Sequence, residues 1–307
     1  MAARSAGDWV EPPGGWSQST ENTLQHSRER VASRWLALRD TFTNHQTPGW
    51  AEPSPEPQDA SICAVFSLAG GVGKTSLTAT LGRAFLAAGE EVTLAEVTAD
   101  AMLPLYFGAP MTPMTHSTHS NIRDVSEPIG PGAEPGPKRP TLLRVEPGRK
   151  TSAAGPADLE RCLDRCKVEK RRAVIDLETP SPEAVQLLLQ RGALFLVPVA
   201  PDATSVLHLQ RIQQYFGEMA SGPSCAVHAR YLLTQFQAEL PLHLDVRQAL
   251  QRRLGNRLLP FVLRRSQAVA EALAQASTVL DYAPQSGVAA DYRGLADWIR
   301  SLPSCVV

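Results

Sequence analysis

The chain has 307 residues, enough for one large globular domain with additional segments. Its 30 Lys and Arg residues balance 31 Asp and Glu residues, which excludes a strongly basic protein whose overall charge attracts nucleic acid or anionic lipid. The five cysteines are scattered, and there is neither a signal peptide nor an apolar run long enough to span a membrane. These features predict a cytoplasmic protein.

The first 60 residues are predicted to be mostly disordered around one helix. Residues 1–22 and 44–60 are rich in Pro, Gly, Ser and Glu, a composition that disfavours a packed core. Between them, a helix near 24–42 places five apolar side chains on one stripe, namely Leu24, Val31, Trp35, Leu38 and Phe42. Because this helix also carries Glu29 and Asp40, docking on a partner or on its own domain is favoured over membrane binding.

Residues 61–303 are predicted to form one domain in which strands and helices alternate, with a Pro/Gly-rich loop at 108–140. The predicted strands are 62–68, 92–97, 141–145, 173–177, 194–199, 226–233 and 258–263. The predicted helices are 74–88, 156–166, 182–191, 203–219, 241–254, 267–275 and 288–301. Continuously apolar strands that alternate with helices predict an α/β fold with a doubly wound, mostly parallel sheet and helices on both faces.

A glycine-rich turn lies between the first predicted strand and the first predicted helix. Its glycines allow backbone N–H groups to surround phosphate oxygens, and the helix N-terminus adds a partial positive charge. In this pattern the lysine contacts the β- and γ-phosphates of a nucleotide, and the next hydroxyl ligates Mg²⁺. The sequence therefore predicts a nucleotide-binding loop formed by Gly70, Gly71, Val72, Gly73, Lys74, Thr75 and Ser76.

An aspartate follows three apolar residues in the predicted strand 173–177. The Mg²⁺ of a bound nucleotide usually keeps several waters, and a carboxylate at a strand end holds one of them. Asp176 is therefore predicted to act with Thr75 as a metal-site residue. The alternative is an ordinary aspartate at the start of a loop.

The doubled glycine of the loop resembles the deviant phosphate-binding loop K-G-G-x-G-K-T of the ParA/MinD ATPases, a SIMIBI-type group of P-loop proteins. The resemblance implies a homodimer that holds ATP between its subunits, with the first lysine of each loop reaching the partner's nucleotide. Ala69 stands at the position of that lysine. ATP and Mg²⁺ binding is therefore expected, with weak hydrolysis or none.

In ParA/MinD proteins the second strand ends in D-x-D, where the first acid lies near Mg²⁺ and the second positions the attacking water. Glu96 occupies the first position here, and Thr98, which cannot act as a base, occupies the second. Asp100 is two residues further on and either substitutes for the missing acid or caps the next helix. The resemblance therefore makes Glu96 and Asp100 the candidate catalytic residues.

Base recognition in this superfamily comes from two later strand ends. Thr234 stands where the family has an asparagine that reads adenine, and threonine does not offer that paired donor and acceptor. Arg265 lies at the start of the second base-side loop, although a solvated helix entry is an equal alternative. By resemblance, Thr234 and Arg265 are predicted to bind the nucleotide.

Later runs of sequence resemble one ParA/MinD subgroup, the ATPase of bacterial cellulose synthase operons (BcsQ/YhjQ type). The runs are 100–107, 242–247, 254–261, 268–274, 279–284 and 289–292. This resemblance implies an ATP-binding accessory that contacts other synthase subunits at the inner membrane and supports assembly or localisation of the complex. No nucleic acid is expected as a partner.

A second hypothesis is an active ParA/MinD-type positioning ATPase that acts on DNA or membrane. Five arginines are the candidate basic surface for it, namely Arg252, Arg253, Arg257, Arg264 and Arg265. The near-neutral charge of the chain and the alanine at position 69 disfavour this hypothesis.

Overall fold

A computed structural model describes residues 59–98, 101–108, 140–145, 154–178, 182–220 and 227–303. The predicted N-terminal helix, nearly all of the predicted long loop, and Asp100 lie outside these ranges. The described strands are β1 (Asp59–Phe66), β2 (Val92–Val97), β3 (Thr141–Val145), β4 (Arg172–Leu177), β5 (Ala193–Val199), β6 (Ala229–Phe236) and β7 (Leu258–Arg264).

The helices alternate with these strands. They are α1 (Lys74–Ala87), α2 (Ala154–Val168), α3 (Pro182–Gln190), α4 (Ala203–Met219), α5 (Pro241–Leu254), α6 (Gln267–Ala274), α7 (Val279–Tyr282) and α8 (Gly287–Arg300). Two short 3₁₀ helices, Leu103–Phe107 and Gly255–Arg257, complete the described elements. Within the described ranges, no helix has the length and apolar character needed to cross a bilayer.

The strands form one sheet in the order β3-β2-β4-β1-β5-β6-β7, and each described strand pair is parallel. This arrangement confirms the predicted doubly wound α/β fold. The strand order places β1 near the middle, with β4 and β2 on one side and β5 on the other. Loops that follow β1, β2 and β4 therefore meet at one edge of the sheet, where ligands of such folds bind.

Both faces of the sheet are covered because its central strands are apolar at almost every position. Val65 of β1 packs in the core with Leu81 and Phe85 of α1. Phe66, the next residue, points to the opposite face, where its ring lies 5.1 Å from that of Phe216 in α4. Burial of such side chains contributes about 2 kcal/mol each, so a continuously apolar strand is stable only between two helical layers.

Strand β6 has eight residues, as predicted, but it begins and ends three positions later in the chain, at 229–236 rather than 226–233. It continues through Phe236, whose partner in β7 is Arg264, so the predicted end at residue 233 was wrong. Thr234 and Gln235 are polar and indicate the start of a loop, but β6 passes through an irregularity at Gln235, whose φ is left-handed, and pairs again with β7 at Phe236. As a consequence, Thr234 lies within the strand.

A buried ion pair ties β4 to the turn before β2, and its removal is our first prediction. Arg172 is almost fully buried, donates to Glu90 at 2.5 Å and lies 4.6 Å from the centre of the Phe85 ring. Glu90→Gln leaves this guanidinium charge without its partner, and we expect the free energy of unfolding to fall by about 3 kcal/mol.

Arg300 supplies the matched control because it also binds Glu90, at 2.8 Å, but is 40% exposed. Arg300→Gln should lower the free energy of unfolding by less than about 1 kcal/mol, since exposed ion pairs contribute little. Urea denaturation of the two variants measures both changes. Equal losses in the two variants would contradict the prediction.

Candidate nucleotide site

The glycine-rich loop has the open conformation that a phosphate-binding loop requires. Gly71 and Gly73 adopt φ of +72° and +88°, a left-handed region that favours glycine, and α1 begins at the next residue, Lys74. An added Cβ at Gly70, Gly71 or Gly73 would meet no atom within 4 Å, so the glycines border open space. The loop therefore offers a backbone cradle next to a helix N-terminus.

Lys74 folds back over this loop, and Ala69 is buried beneath it. The Lys74 ammonium donates to the carbonyl oxygen of Ala69 at 3.4 Å. The Ala69 side chain is 4% exposed and packs with Val72 and Ala200. Position 69 is therefore part of a small apolar cluster that supports the loop.

Asp176 lies at the end of β4 beside this cradle. In the sheet register it is opposite Val65 of β1 on one side and Glu96 of β2 on the other. It is fully buried, and neither carboxylate oxygen accepts a hydrogen bond of ordinary geometry. Burial raises its pKa to about 6, and the nearby Thr75 hydroxyl and Lys74 ammonium oppose this rise.

These oxygens fit the ligand preferences of Mg²⁺. Carboxylate and hydroxyl oxygens are the ligands this ion takes in proteins, usually with several waters retained. A buried carboxylate without a hydrogen-bond partner is costly unless a cation compensates it. Asp176 and Thr75 would therefore hold the ion directly or through water, as the sequence predicts.

Glu96 neighbours Asp176 but is bound to the backbone. One of its oxygens accepts from the N–H of Met102 at 2.8 Å, and the other accepts from that of Leu103 at 3.0 Å. Burial raises the pKa of Glu96 to about 7, these two N–H groups oppose the rise, and the charges of Asp176 and Glu178 add to it. The observed contacts position the start of the 3₁₀ helix, and a catalytic role of Glu96 stays a prediction.

Thr98 directly follows β2 and contacts an acid on the neighbouring strand. Its hydroxyl donates to Oε2 of Glu178, which follows β4. The register places Val97 opposite Leu177, so Thr98 and Glu178 are next in line across the two strands. Asp100, the other candidate acid of the sequence, lies outside the described residues.

Two side chains from the end of β6 hold the glycine-rich loop. Thr234 donates to the carbonyl of Val72 at 3.1 Å, and Gln235 donates to that of Gly71 at 2.6 Å. Gln235 has φ of +53°, an unusual conformation for a residue other than glycine. The structure thus gives Thr234 a contact with the loop, and its predicted contact with a base remains a prediction.

The remaining predicted residues lie at the two ends of the site. The Ser76 hydroxyl is 2.6 Å from that of Tyr106, so it anchors the 3₁₀ helix to α1. Arg265 is exposed after β7, and its N–H donates to the carbonyl of Phe236 at 2.9 Å. The nucleotide contacts of Ser76 and Arg265 stay predictions.

The model of the CobQ/CobB/MinD/ParA nucleotide binding domain matches residues 63–279, well over half of the chain. The chain belongs to this family. Its matched region contains the glycine-rich loop, Asp176 and the end of β6. The ParA/MinD resemblance of the sequence is thereby confirmed at family level.

Solved structures of low sequence identity share the fold. MinD from Aquifex aeolicus is 14% identical, with a TM-score of 0.57, 79% of this chain covered and 98% of that one. MinD from Pyrococcus horikoshii, complexed with Mg-ADP, is 15% identical, with a TM-score of 0.54 over 78% and 96% of the chains. Cobyrinic acid a,c-diamide synthase from Mycobacterium smegmatis, with bound ADP and magnesium, is 19% identical, with a TM-score of 0.54 over 79% and 97%. No curated protein matches the chain.

Sequence reasoning missed three polar side chains of this site: Glu178, Gln235 and Tyr106. Glu178 follows Asp176 by two residues, and residues two apart in a strand point to the same face. That spacing was a signal that could have identified it. Gln235 and Tyr106 reach the site through tertiary contacts with segments far away in the chain.

The raised pKa of Asp176 predicts how stability depends on pH without nucleotide. The folded chain binds this proton more tightly than the unfolded chain, because the pKa rises from 3.8 to about 6. The stabilisation that comes from protonated Asp176 is fully present below pH ~4 and is lost as the pH rises through ~6. Asp176→Asn should therefore raise the free energy of unfolding at pH 8 by about 2 kcal/mol and change it little at pH ~4.

Denaturation of both proteins at the two pH values checks this expectation. Asp245→Asn is the control, since that carboxylate is exposed on α5 and remains hydrated in the folded protein. The prediction would be wrong if Asp176→Asn were less stable than the wild type at pH 8.

Gln235 supplies a third prediction. Gln235→Ala removes the hydrogen bond to Gly71 while its backbone stays in an unfavourable conformation. Because the loop loses one of its two supports from β6, we expect nucleotide affinity to fall about fivefold, the equivalent of one hydrogen bond. Titration with a fluorescent ATP analogue measures the change, and Gln214→Ala on the exposed side of α4 is the control. An unchanged affinity would contradict the proposed support.

Proposed function

We propose that the protein binds ATP and Mg²⁺ and acts as a nucleotide-controlled accessory subunit of a bacterial cellulose synthase secretion complex. The observation that carries the nucleotide part is the buried carboxylate of Asp176. Its oxygens lack ordinary hydrogen bonds and lie near Thr75 and Lys74, beside an open glycine loop. A Mg²⁺-bound triphosphate supplies the positive ion for Asp176 and the anion for Lys74 and the loop N–H groups.

The relatives with bound nucleotide support this part of the proposal. The Pyrococcus horikoshii and Mycobacterium smegmatis structures hold Mg-ADP and ADP with magnesium on the same fold. A MinC:MinD cell division protein complex from Aquifex aeolicus also shares this fold. By analogy, we propose that ATP favours a homodimer of this chain, and that the dimer exposes a surface for other synthase subunits.

The cellulose assignment rests on the sequence resemblance of residues 100–107, 242–247, 254–261, 268–274, 279–284 and 289–292 to the BcsQ/YhjQ type. In this proposal the protein stays in the cytoplasm and reaches the inner membrane through the synthase, with the segment near 24–42 as one docking element. Slow hydrolysis suits a subunit whose ATP-bound state lasts.

The alternative of a positioning ATPase that acts on DNA or membrane receives less support from the described arginines. Arg264 is paired with Asp291 at 2.7 Å, and Arg253 donates to Gln213 at 3.1 Å. These contacts orient two of the five candidate arginines toward their own domain. A salt-dependent DNA-binding assay tests the alternative, since phosphate contacts weaken steeply as salt rises.

Lys74→Ala tests the proposed function. Loss of the phosphate-contacting ammonium should weaken ATP binding at least about 100-fold, the cost of an unpaired phosphate charge in the loop. Isothermal titration with Mg-ATP measures binding, and cellulose output of the producing cell measures the biological role. Lys167→Ala, on the exposed side of α2, is the control and should change neither quantity. Normal cellulose output in a Lys74→Ala strain would refute the synthase role.

A further inference from the structure

Glu178 is an exposed acid at the nucleotide edge of the sheet. It follows β4 by one residue and Asp176 by two. The Thr98 hydroxyl donates to its Oε2 atom, and this is the hydrogen bond the structure describes for its carboxylate. One oxygen of the group is therefore held by the residue that follows β2, and the side chain remains exposed.

The other described acids at this edge already have different contacts. Glu96 accepts N–H groups of Met102 and Leu103 with its two oxygens. Asp176 is fully buried next to Thr75, where it fits a metal ion. Among the described acids at the carboxyl ends of β2 and β4, Glu178 is thus the one that combines exposure with a hydrogen-bonded position.

The sheet register places these acids next to one another. Glu96 of β2 is paired with Asp176 of β4, and Val97 is paired with Leu177, so Thr98 and Glu178 each follow by one residue. Neighbouring strands of a sheet lie about 4.8 Å apart. Glu178 is therefore close to the carboxylate that lies beside the phosphate loop.

We infer that Glu178 is the carboxylate that orients and deprotonates the water in ATP hydrolysis, and that Thr98 is its positioning residue. The inference rests on the proposed function, because it requires ATP in the glycine loop. Thr98 has no carboxylate, and its hydroxyl positions the carboxylate of Glu178, which follows the neighbouring strand β4. The carboxylate thus reaches the site from β4 rather than from β2.

The reaction balances with the groups named. The oxygen of water forms a bond to the γ-phosphorus, while the bond between that phosphorus and the β–γ bridging oxygen breaks. The bridging oxygen leaves with the electron pair as part of ADP. The proton of the water passes to Glu178 and then to solvent or the released phosphate.

Glu178→Gln is the principal test, because it keeps the hydrogen-bonding shape and removes the base. In single-turnover experiments we expect hydrolysis to slow at least about 100-fold, the lower range for a positioned general base. ATP affinity should stay within about twofold of the wild type, whereas affinity for ADP with aluminium fluoride, which mimics the reacting phosphate, should fall about tenfold or more. Glu183→Gln, on the exposed part of α3, is the matched control and should change none of these quantities.

Two further variants test the link to Thr98. Thr98→Val removes the hydroxyl that holds Glu178 and keeps the side-chain shape, so hydrolysis should slow about tenfold with ATP affinity unchanged. In the double variant Thr98→Asp with Glu178→Gln, the acid returns to β2, and hydrolysis should recover at least about tenfold over Glu178→Gln alone. Recovery of hydrolysis would show that the single Glu178→Gln variant is slow because it lacks a carboxylate at this place, and not because it is misfolded.

Two outcomes would overturn the inference. The first is an unchanged rate in Glu178→Gln, and loss of hydrolysis in Asp100→Asn would then assign the role to Asp100. The second is a wild-type protein that binds ATP but never turns it over, which leaves the proposed nucleotide-binding function intact. By contrast, a wild-type protein that fails to bind Mg-ATP in titration removes the proposed function itself, so the two failures are distinguishable.

Discussion

The buried carboxylate of Asp176 is the constraint on which the site depends. Burying an ionisable group without hydrogen bonds is unfavourable, and the cost appears as a pKa raised to about 6. The burial follows from the position of β4 in the sheet, between β1 and β2. The same placement brings the carboxylate to Thr75 and Lys74, where a bound cation would remove the penalty.

The glycine loop next to Asp176 is held by contacts from the rest of the domain. Ala69 and Val72 pack on Ala200 after β5, while Thr234 and Gln235 bind the loop carbonyls from β6. The conformation of the loop therefore depends on the residue after β5 and on the end of β6, as well as on β1, which leads into the loop.

Acids at the β2–β4 edge have divided roles. Glu96 accepts two backbone N–H groups, and Thr98 stands where the resemblance leads us to expect a carboxylate. Glu178 adds an acid two residues beyond Asp176, held by the Thr98 hydroxyl. A site that lacks this acid after β2 thereby has a carboxylate from the neighbouring strand, which is compatible with slow turnover.

The sequence by itself determined the fold class, the phosphate loop and Asp176, because these depend on local patterns: apolar strands, a glycine turn before a helix, and an acid at a strand end. Tertiary structure decided the rest. Gln235 contacts Gly71 across 164 positions of the chain, and Thr98 contacts Glu178 across 80. Local sequence patterns do not predict contacts at such separations. The parallel order of β1, β2, β4 and β6 creates both contacts, since only the folded sheet brings their carboxyl ends to one edge.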